Sequence, residues 1–414
     1  MDDLRYNMTA TLDVALETFI AAFNPIIRDL TRRQKKMLIT MHRYLDGDAF
    51  GSAVGLGLIL RRLGIDSTLL CVPFVPEKFD FLSRMSHLTI LEAGVNKRLY
   101  GRDNLTQSMR GHFPGRINEY GGLTVLDCAG FGQIPQEAWS IGLSLPHKIN
   151  IDHHVGHSLD SKGEGVLNLV GNCSSTGEVL FHLMQRLGIE PDPEIAVPLY
   201  VGVNADLRKN DVWEDNPAYP GLVVQTLKHQ VGKLGDDTFR QIDSIFSLDP
   251  WEQYLLDTIK DSVRFSGSIV YASFDPNMVL AAKRKTDSLD NPRMPFHEFH
   301  IRLRQLMRQF KDTYQIVVLF DQMLGKVSLF DLHQDHAFDL SGIGRELGGG
   351  GHTNRAGFTF QTASEKLLEK GRITADTPET RIMDSIVEFI RSQLPASSES
   401  HNGSRIPSPG GHAT

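Results

Sequence analysis

The sequence predicts an α/β protein in which a mostly parallel sheet carries helices on both faces and is followed by a smaller second α/β domain. From Lys36 onward, short apolar runs alternate with segments of helical spacing, which is the pattern of strand–helix–strand units. These runs are apolar at nearly every position, as in strands that are buried on both faces of a parallel sheet. The length of 414 residues exceeds what one ordinary core accommodates, so two domains are expected.

The first domain is expected to comprise residues 36–245, preceded by a helical lead-in over residues 1–35. MLITMH is a predicted strand. SAVGLGLILRRLG is a predicted helix that begins with Ser52 as its N-cap and is closed by Gly64. STLLCVP is the next strand, and LTVLD, HKINID and the apolar stretch AVPLYVGV supply further segments of the same pattern.

Residues 246–265 are expected to form a connecting helix, and residues 266–392 a second domain that begins with GSIVYASF. This domain contains one helix-like stretch, FHEFHIRLRQLMRQF, and two predicted strands, YQIVVLFDQ and GKVSLFDL. A Gly-rich loop, GGGGHTNRAGF, leads into a final strand. Residues 393–414 are rich in Ser, Gly and Pro and poor in apolar residues, which is typical of a disordered tail.

The composition excludes some classes of protein. A net charge of −7 argues against a general nucleic-acid binder and against a stable complex with duplex nucleic acid, but not against a small anionic substrate. The three cysteines form no CxxC pair, which favours a reducing compartment. The N-terminus lacks an apolar signal core, and no apolar run approaches the roughly 18 residues of a membrane span. These observations predict a cytoplasmic protein without a membrane partner, and a homodimer is compatible with them.

The segment HRYLDGDAFGS places His42, Asp46 and Asp48 in a loop between a predicted strand and a predicted helix. Two carboxylates two residues apart, with an imidazole four residues earlier, can converge on adjacent cations. Gly47 and Gly51 permit a tight turn there. Taken alone, the same D-x-D pattern is equally compatible with turn and helix-capping chemistry.

Two further segments end apolar strands with polar groups. In VLDCAG, Asp127 follows a strand, which is typical of an active-site carboxylate but also of a turn cap. In IDHHVG, two adjacent histidines cannot both face one core, because successive side chains of a strand point to opposite faces. We expect His153 to bind a metal, Asp152 to orient a neighbouring group and His154 to face the substrate.

Asp206 follows another apolar run, in YVGVNADLRKND, and is a fourth candidate ligand. A surface-loop role for Asp206 remains open, and Asp211 is a competing ligand. Ligands of open α/β sheets bind beyond the carboxyl ends of the strands. The polar groups that follow the predicted strands are therefore expected to meet at that edge.

Taken in order, the four segments resemble the motifs of the DHH phosphoesterase superfamily, whose name-giving motif stands here as Asp152-His153-His154. The pattern H-x3-D-x-D-x2-G-S is followed by a strand-terminal Asp, by DHH and by a further Asp, over roughly residues 36–210. The resemblance implies a hydrolase of phosphate esters that uses two Mn²⁺ ions, with Mg²⁺ or Co²⁺ as substitutes. The metal ligands that it implies are His42, Asp46, Asp48, Asp127, His153 and Asp206.

The resemblance divides these ligands between two ions, with His42 and Asp46 on one, Asp48, His153 and Asp206 on the other, and Asp127 on both. It also implies that His154 contacts the phosphate, so the predicted catalytic group is Asp127, Asp152 and His154. Two cations about 3.5–4 Å apart can clamp phosphate oxygens during in-line attack. Four carboxylates would nearly balance two divalent cations, which lets an anionic substrate approach.

The loop GGGGHTNRAGF resembles the GGGH-containing loop of the DHHA1 domain, which follows the DHH domain in one branch of the family. Consecutive glycines expose backbone N–H groups that can cradle an oxyanion, and a plain flexible loop is the alternative. Arg355 would act as a forked donor to phosphate. Substrate contacts are predicted for His154, Gly349, Gly350, Gly351, His352 and Arg355, in an active site in the cleft between the two domains.

This pairing favours the oligoribonuclease and 3′-phosphoadenosine 5′-phosphate phosphatase branch, with short oligoribonucleotides, 3′,5′-bisphosphate nucleotides, or linear or cyclic dinucleotides as substrates. Two departures concern substrate contacts. An Arg-Ser pair common in this branch is replaced by Phe330-Asp331, and the usual Asp-Thr-Gly of the fourth motif reads Asp206-Leu207-Arg208. The alternatives are a non-catalytic nucleotide-binding regulatory protein on the same fold and a hydrolase of polyphosphate or other phosphate esters.

Overall fold

The computed structural model of the chain describes residues 2–42, 45–71, 75–92, 117–128, 130, 133–154, 165–210, 219–289, 297–333 and 339–394. The chain divides into two compact units, Met1–Ser247 and Leu248–Thr414. Most of the predicted tail, residues 395–414, and the competing ligand Asp211 lie outside the described residues. Across the described ranges, no helix is long and apolar enough to cross a membrane.

The first unit is built on β1 (Lys36–Met41), β2 (Ser67–Cys71), β3 (Thr89–Glu92), β4 (Tyr120–Leu126), β5 (His147–Asp152) and β6 (Val166–Val170). Its helices are α1 (Asp2–Arg33), α2 (Gly47–Arg62), α3 (Asp80–Ser86), α4 (Gln136–Gly142), α5 (Thr176–Arg186), α6 (Pro193–Asn210), α7 (Gly221–Gly232) and α8 (Asp236–Ile245). The alternation of strands and helices that the apolar runs predict is therefore present. The segment from β6 to α5 was not predicted from the sequence.

These strands form one sheet in the order β3-β2-β1-β4-β5-β6, and every neighbouring pair is parallel. Gly57 of α2 lies against Ser67, and Gly142 of α4 lies against Leu123. The register of β2, β1 and β4 places Ser67 and Leu123 on opposite faces, so helices cover both. The predicted fold class is confirmed. Since the strand order reverses between β1 and β4, the crevice at their carboxyl ends is where such sheets bind ligands.

The N-cap of helix α2 lies six residues before Ser52, the residue that was expected to cap it. Asp46 is the N-cap: it has extended backbone angles, and its side chain accepts the N–H of Ala49 at 3.0 Å. Ser52 lies inside the helix, where its hydroxyl donates to Asp48 at 2.9 Å. Asp and Ser are comparable N-caps, so local sequence did not distinguish them. Asp48 therefore stands in the first helical turn and not in a loop.

The apolar stretch AVPLYVGV lies within helix α6, so its assignment to the sheet pattern was wrong. Leu199, Val201 and Val203 are fully buried, because α6 is packed against α2, α5 and α7. A helix that is buried on most sides is apolar all round, and a short stretch of it cannot be told from a buried strand by periodicity. Asp206 accordingly lies on a helix and not after a strand.

The second unit contains β7 (Arg264–Ser266), β8 (Ile269–Phe274), β9 (Ile316–Asp321), β10 (Lys326–Asp331), β11 (Gly350–His352) and β12 (Arg355–Thr359). Its helices are α9 (Pro250–Asp261), α10 (Pro276–Lys285), α11 (His297–Met307), α12 (Leu340–Glu346), α13 (Phe360–Glu369) and α14 (Glu379–Gln393). The strand order is β11-β12-β10-β9-β8-β7, with only the β8–β9 pair parallel among these strands.

Two hydrophobic clusters cover the two faces of this second sheet. Val318 and Leu329 belong to the cluster that includes α12, α13 and α14. Val317 and Leu319 belong to the cluster that includes α9, α10 and α11. The alternation along β9 therefore sends successive side chains into different cores, as expected of a sheet that is covered on both faces.

Asp192 stabilises the start of α6, and we expect this contribution to depend on pH. Its carboxylate accepts the N–H of Ile195 at 3.0 Å and pairs with Arg62. Burial alone would raise the pKa of Asp192, but the hydrogen bonds from Arg62 and Ile195 outweigh it and hold that pKa below its usual value. A lowered pKa in the folded state stabilises the protein above the unfolded pKa of about 3.9, and this stability is lost as pH falls through the folded pKa.

Asp192→Asn keeps an N-cap acceptor but loses the charge that pairs with the partly exposed Arg62, so it should lower the free energy of unfolding at pH 7 by less than about 1 kcal/mol. Its difference from the parent should begin to shrink as the pH falls below about 4, where the carboxyl of the unfolded chain takes up a proton, and should vanish only below the lowered pKa of Asp192 in the folded protein. Urea unfolding between pH 3 and pH 7 measures the difference, with Asp376→Asn, an exposed position, as the matched control. A difference that stays constant over this range would contradict the assignment.

Candidate metal centre

The polar residues that follow the strands meet at one edge of the first sheet. His42 follows β1, Asp127 follows β4, and His153 follows β5, and these three strands are neighbours in the sheet. Because the strands are parallel, their carboxyl ends lie on the same side. The α2 N-terminus brings Asp46 and Asp48 to this edge, and α6 brings Asp206.

A first group of ligand atoms consists of His42, Asp46 and Asp127. The Nε2 atom of His42 lies 3.3 Å from Oδ2 of Asp127 and 3.8 Å from Oδ1 of Asp46. Single ligand atoms of the three side chains all lie within 4.8 Å of one another. This spacing is compatible with one cation among them.

A second group surrounds Nε2 of His153. That atom lies 3.1 Å from Oδ2 of Asp206, 3.6 Å from Oδ1 of Asp127 and 4.0 Å from Oδ2 of Asp48. Asp127 therefore directs one carboxylate oxygen toward His42 and the other toward His153. This is the arrangement that a carboxylate shared by two cations requires.

The charge of this cluster is unbalanced in the absence of cations. The exposed fractions of Asp46, Asp48, Asp127 and Asp206 are 3%, 0%, 2% and 1%. Burial raises the pKa of Asp48 well above its usual value, and the charges of Asp127 and Asp206 raise it further. Buried charge of one sign must be compensated by protons or cations. The donor set thus fits divalent metal ions.

The two histidines beside Asp127 can supply positive charge to the cluster. Burial opposes ionisation of Asp127, but the hydrogen bond and charge of His42 hold its pKa at about 2. Burial would lower the pKa of His153, but Asp206, Asp48 and Asp127 raise it to about 10. In the metal-free protein, protonated His153 therefore supplies the positive charge that a bound cation would otherwise supply to Asp48, Asp127 and Asp206.

The backbone of Asp127 is in the left-handed region, with φ of 52°. Few residues other than Gly adopt it, and Asp is among those that do so more readily. Such conformations persist where the surroundings hold them, and they cluster at functional sites. Here the Asp127 N–H donates to the carbonyl of Ile151 at 3.2 Å, and the hydroxyl of Thr176 donates to Oδ1 of Asp127 at 3.1 Å.

The N-terminus of α5 fixes Asp48, a contribution that the sequence analysis missed. The N–H groups of Thr176 and Gly177 donate to the two Asp48 oxygens at 2.7 Å and 2.9 Å. An N-terminal helix dipole favours a carboxylate at this position. The signal was present in Ser175-Thr-Gly-Glu178, which has the spacing of a helix start, and Ser175 is the N-cap in the structure.

Asp152 and Cys173 orient the two histidines of the DHH sequence. Oδ1 of Asp152 accepts the N–H groups of His153 and His154 at 2.7 Å and 3.2 Å, and it lies 2.8 Å from Nδ1 of His154. The carbonyl of Cys173 lies 3.3 Å from Nδ1 of His153. Each ring is thereby held through Nδ1, which leaves Nε2 for another partner. The side chain of His154 is 32% exposed, so a substrate can reach it.

In the second unit, the Gly-rich segment differs from the expected open loop. The N–H groups of Gly348 and Gly349 donate to the carbonyls of Arg345 and Gly344 at 3.1 Å and 2.8 Å, so these two are not exposed to an oxyanion. The Gly349 backbone also packs tightly against the carbonyl of Gly357. These glycines are needed to end α12 and to pack it on β12.

Residues 350–352 form β11 and pair with β12 in a tight hairpin. A side chain at Gly350 would meet open space, although its backbone pairs with that of Gly357, whereas Gly351 has a φ of 148° and packs against Ala356. Arg355 is half-buried at the start of β12. For His352 the structure describes the backbone only.

Part of the chain matches a known protein family. Residues 36–203 match the model of the DHH family, N-terminal domain. That range contains five of the six proposed metal ligands, and Asp206 lies just beyond it. No curated protein sequence matches the chain.

Among solved structures, the chain is similar to an exopolyphosphatase-related protein from Bacteroides fragilis, with a TM-score of 0.64 and 18% identity over 91% of this chain and 97% of that one. This similarity shows the fold over most of the length. The chain is also similar to RecJ in complex with Mn²⁺ from Thermus thermophilus, with a TM-score of 0.42 and 14% identity over 92% of this chain and 60% of that one.

Proposed function

We propose that this chain is a metal-dependent phosphoesterase that hydrolyses phosphodiester or phosphomonoester bonds of small nucleotides with two divalent cations, Mn²⁺ being the preferred one. The observation that carries the proposal is the position of Asp127. Its two carboxylate oxygens face His42 and His153 separately, and each histidine belongs to a group of ligands with the spacing of a cation site.

The ligand sets that we propose are His42, Asp46 and Asp127 for one ion, and Asp48, Asp127, His153 and Asp206 for the other. Bound there, the cations would supply Lewis-acid stabilisation of the charge that develops on the phosphate. Oxygen and imidazole donors suit Mn²⁺ and, with lower preference for imidazole, Mg²⁺. Four carboxylates and two neutral imidazoles would balance two divalent ions, so the loaded site no longer repels an anionic substrate.

The protein's own groups have separable roles in this proposal. Thr176 and Gly177 hold Asp48 in place, and the Thr176 hydroxyl fixes Asp127. Asp152 is a positioning residue, since its contacts go to His153 and His154. His154 is the residue that we assign to a phosphate oxygen, because its ring is both held by Asp152 and partly exposed.

The preferred substrate belongs to the same proposal. The resemblance of the Gly-rich segment to the DHHA1 loop supports nucleotides handled by the oligoribonuclease and 3′-phosphoadenosine 5′-phosphate phosphatase branch. Gly350, Gly351, His352 and Arg355 are the proposed contacts in the second unit. Gly349 is not among them, because its N–H donates to the carbonyl of Gly344, and we assign it a role in packing.

A substrate screen tests the proposal. With Mn²⁺, we expect release of mononucleotide from di- to tetraribonucleotides, and loss of this activity with excess chelator. 3′,5′-Bisphosphate nucleotides, cyclic dinucleotides and polyphosphate complete the screen. Tight nucleotide binding without metal-dependent turnover of any of these would favour the non-catalytic alternative, and turnover of polyphosphate alone would refute the nucleotide assignment.

A further inference from the structure

A separate group of metal-ligating side chains lies where α5 begins. The Sγ atom of Cys173, a carboxylate oxygen of Glu178 and a ring nitrogen of His182 all lie within 4.8 Å of one another. Glu178 and His182 are four residues apart and share one face of α5. None of the three belongs to the ligand set described above. We propose that they form a binding site for one thiophilic divalent cation, Zn²⁺ or an ion of similar chemistry.

The separation between His182 and Glu178 is close to that of two ligands on one tetrahedral ion. Nε2 of His182 lies 3.7 Å from Oε1 of Glu178, longer than an ordinary hydrogen bond. Nitrogen and oxygen donors at about 2.0–2.2 Å from one tetrahedral zinc ion are separated by about 3.4 Å. A small movement of either side chain therefore brings these two atoms to the separation of ligands on one ion, and Sγ of Cys173 lies within 4.8 Å of both. Three protein ligands leave a fourth position for a water molecule.

The carboxylate of Glu178 is already oriented for this role. Its Oε2 accepts both the N–H and the hydroxyl of Ser174, each at 2.7 Å. Metal-binding carboxylates are commonly held in this way through the oxygen that does not ligate. The other oxygen, Oε1, faces His182.

Charge and access also fit a divalent cation. A thiolate, a carboxylate and a neutral imidazole carry two negative charges, which one divalent ion balances. Burial raises the pKa of the Cys173 thiol above its usual value, so binding must replace the S–H bond by an S–metal bond and release the proton to solvent. The side chains of Glu178 and His182 are 13% and 32% exposed, which gives an ion a path from solvent.

The site would act on the main cluster through the turn that connects them. The Cys173 carbonyl faces Nδ1 of His153, and Thr176, three residues on, contacts Asp48 and Asp127. A cation that fixes Cys173 to Glu178 and His182 would fix this turn. An effect of this cation on hydrolysis would depend on the proposed function being correct. The existence of the binding site does not depend on it.

Titration of the metal-stripped, full-length chain with Co²⁺ tests the site. We expect a thiolate-to-cobalt charge-transfer band in the ultraviolet. It should disappear in Cys173→Ser and persist in Cys128→Ser, a matched substitution of a buried cysteine beside Asp127. Glu178→Gln and His182→Gln should each weaken Co²⁺ binding at this site at least about tenfold. Removing a residue that only hydrogen-bonds to a metal ligand already lowers metal affinity by about 10–100-fold, and these two residues are proposed as ligands themselves.

The same titration in Asp127→Asn separates this site from the proposed function. In Asp127→Asn the cobalt charge-transfer band should remain, and Zn²⁺ should still raise the melting temperature. This increase should be lost when Cys173→Ser is added. Absence of the band from the parent protein, or its survival in Cys173→Ser, would overturn the proposal. If Cys173→Ser does not fold, undiminished Co²⁺ binding in both Glu178→Gln and His182→Gln would overturn it equally.

Discussion

Asp127→Asn is expected to reduce Mn²⁺-dependent hydrolysis on the order of a thousandfold or more, because it removes one charge from both proposed cation sites at once. Asn has the shape of Asp, and its carbonyl oxygen can still accept the Thr176 hydroxyl. The NH₂ group that replaces the second oxygen cannot bind a cation. Initial rates on a short oligoribonucleotide, together with calorimetric Mn²⁺ titration, measure both losses.

Asp376→Asn, the same substitution at an exposed position, is the control and should hydrolyse like the parent. Asp127→Asn should also bind fewer Mn²⁺ ions, or bind them far more weakly, while remaining folded. Parental rates and parental Mn²⁺ stoichiometry in Asp127→Asn would show that Asp127 is not shared between two ions.

Gly51→Ala is expected to lower the free energy of unfolding by up to about 2 kcal/mol, because α2 and α6 approach each other there and the strain of overpacking is about 1–3 kcal/mol before the helix propensity of Ala is counted. A Cβ at Gly51 would lie 2.5 Å from the carbonyl oxygen of Pro198 and 2.9 Å from the nitrogen of Gly202, both backbone atoms of α6. Backbone cannot rotate aside as a side chain can, so the helices must separate. This strain should exceed the roughly 1 kcal/mol that Ala gains over Gly inside a helix.

Gly232→Ala is the matched control, since its nearest neighbour would be a ring carbon of Phe239 at 4.0 Å. This variant should unfold at the same or a slightly higher urea concentration than the parent. The α2–α6 contact also sets the distance between Asp48 and Asp206, so Gly51→Ala should weaken Mn²⁺ binding as well. Equal stability of the two alanine variants would refute the close-packing argument.

The part of the candidate site that lies at strand ends could be predicted from the sequence. Asp127 and Asp152 directly follow or end apolar runs, and parallel strands bring such positions to one edge of a sheet. The histidines after Asp152 were predictable for the same reason. Asp206 was a candidate ligand because it follows an apolar run, but that run is helix α6 and not a strand.

Local sequence did not determine the helix starts that complete the cluster. Asp46 and Ser52 are both good N-caps, and in the structure Asp46 caps α2, whose first turns pack against α6 through Gly47 and Gly51. Thr176 was overlooked because its contacts with Asp48 and Asp127 join segments that are 128 and 49 residues apart. In the Gly-rich segment, Gly348 and Gly349 likewise serve to end α12. The sequence of the segment alone does not show this role.

By itself the sequence determined the fold class, the order of the motifs and the chemical nature of the candidate ligands, since these follow from local patterns of apolar and polar residues. The family resemblance predicted how the ligands group, but only the tertiary structure decided how carboxylates from distant segments reach the histidines. His153 meets Asp48 and Asp206 because α2 and α6 pack closely through Gly51 and Gly202. That contact depends on the shapes of two helices far apart in the chain, which periodicity within either helix does not encode.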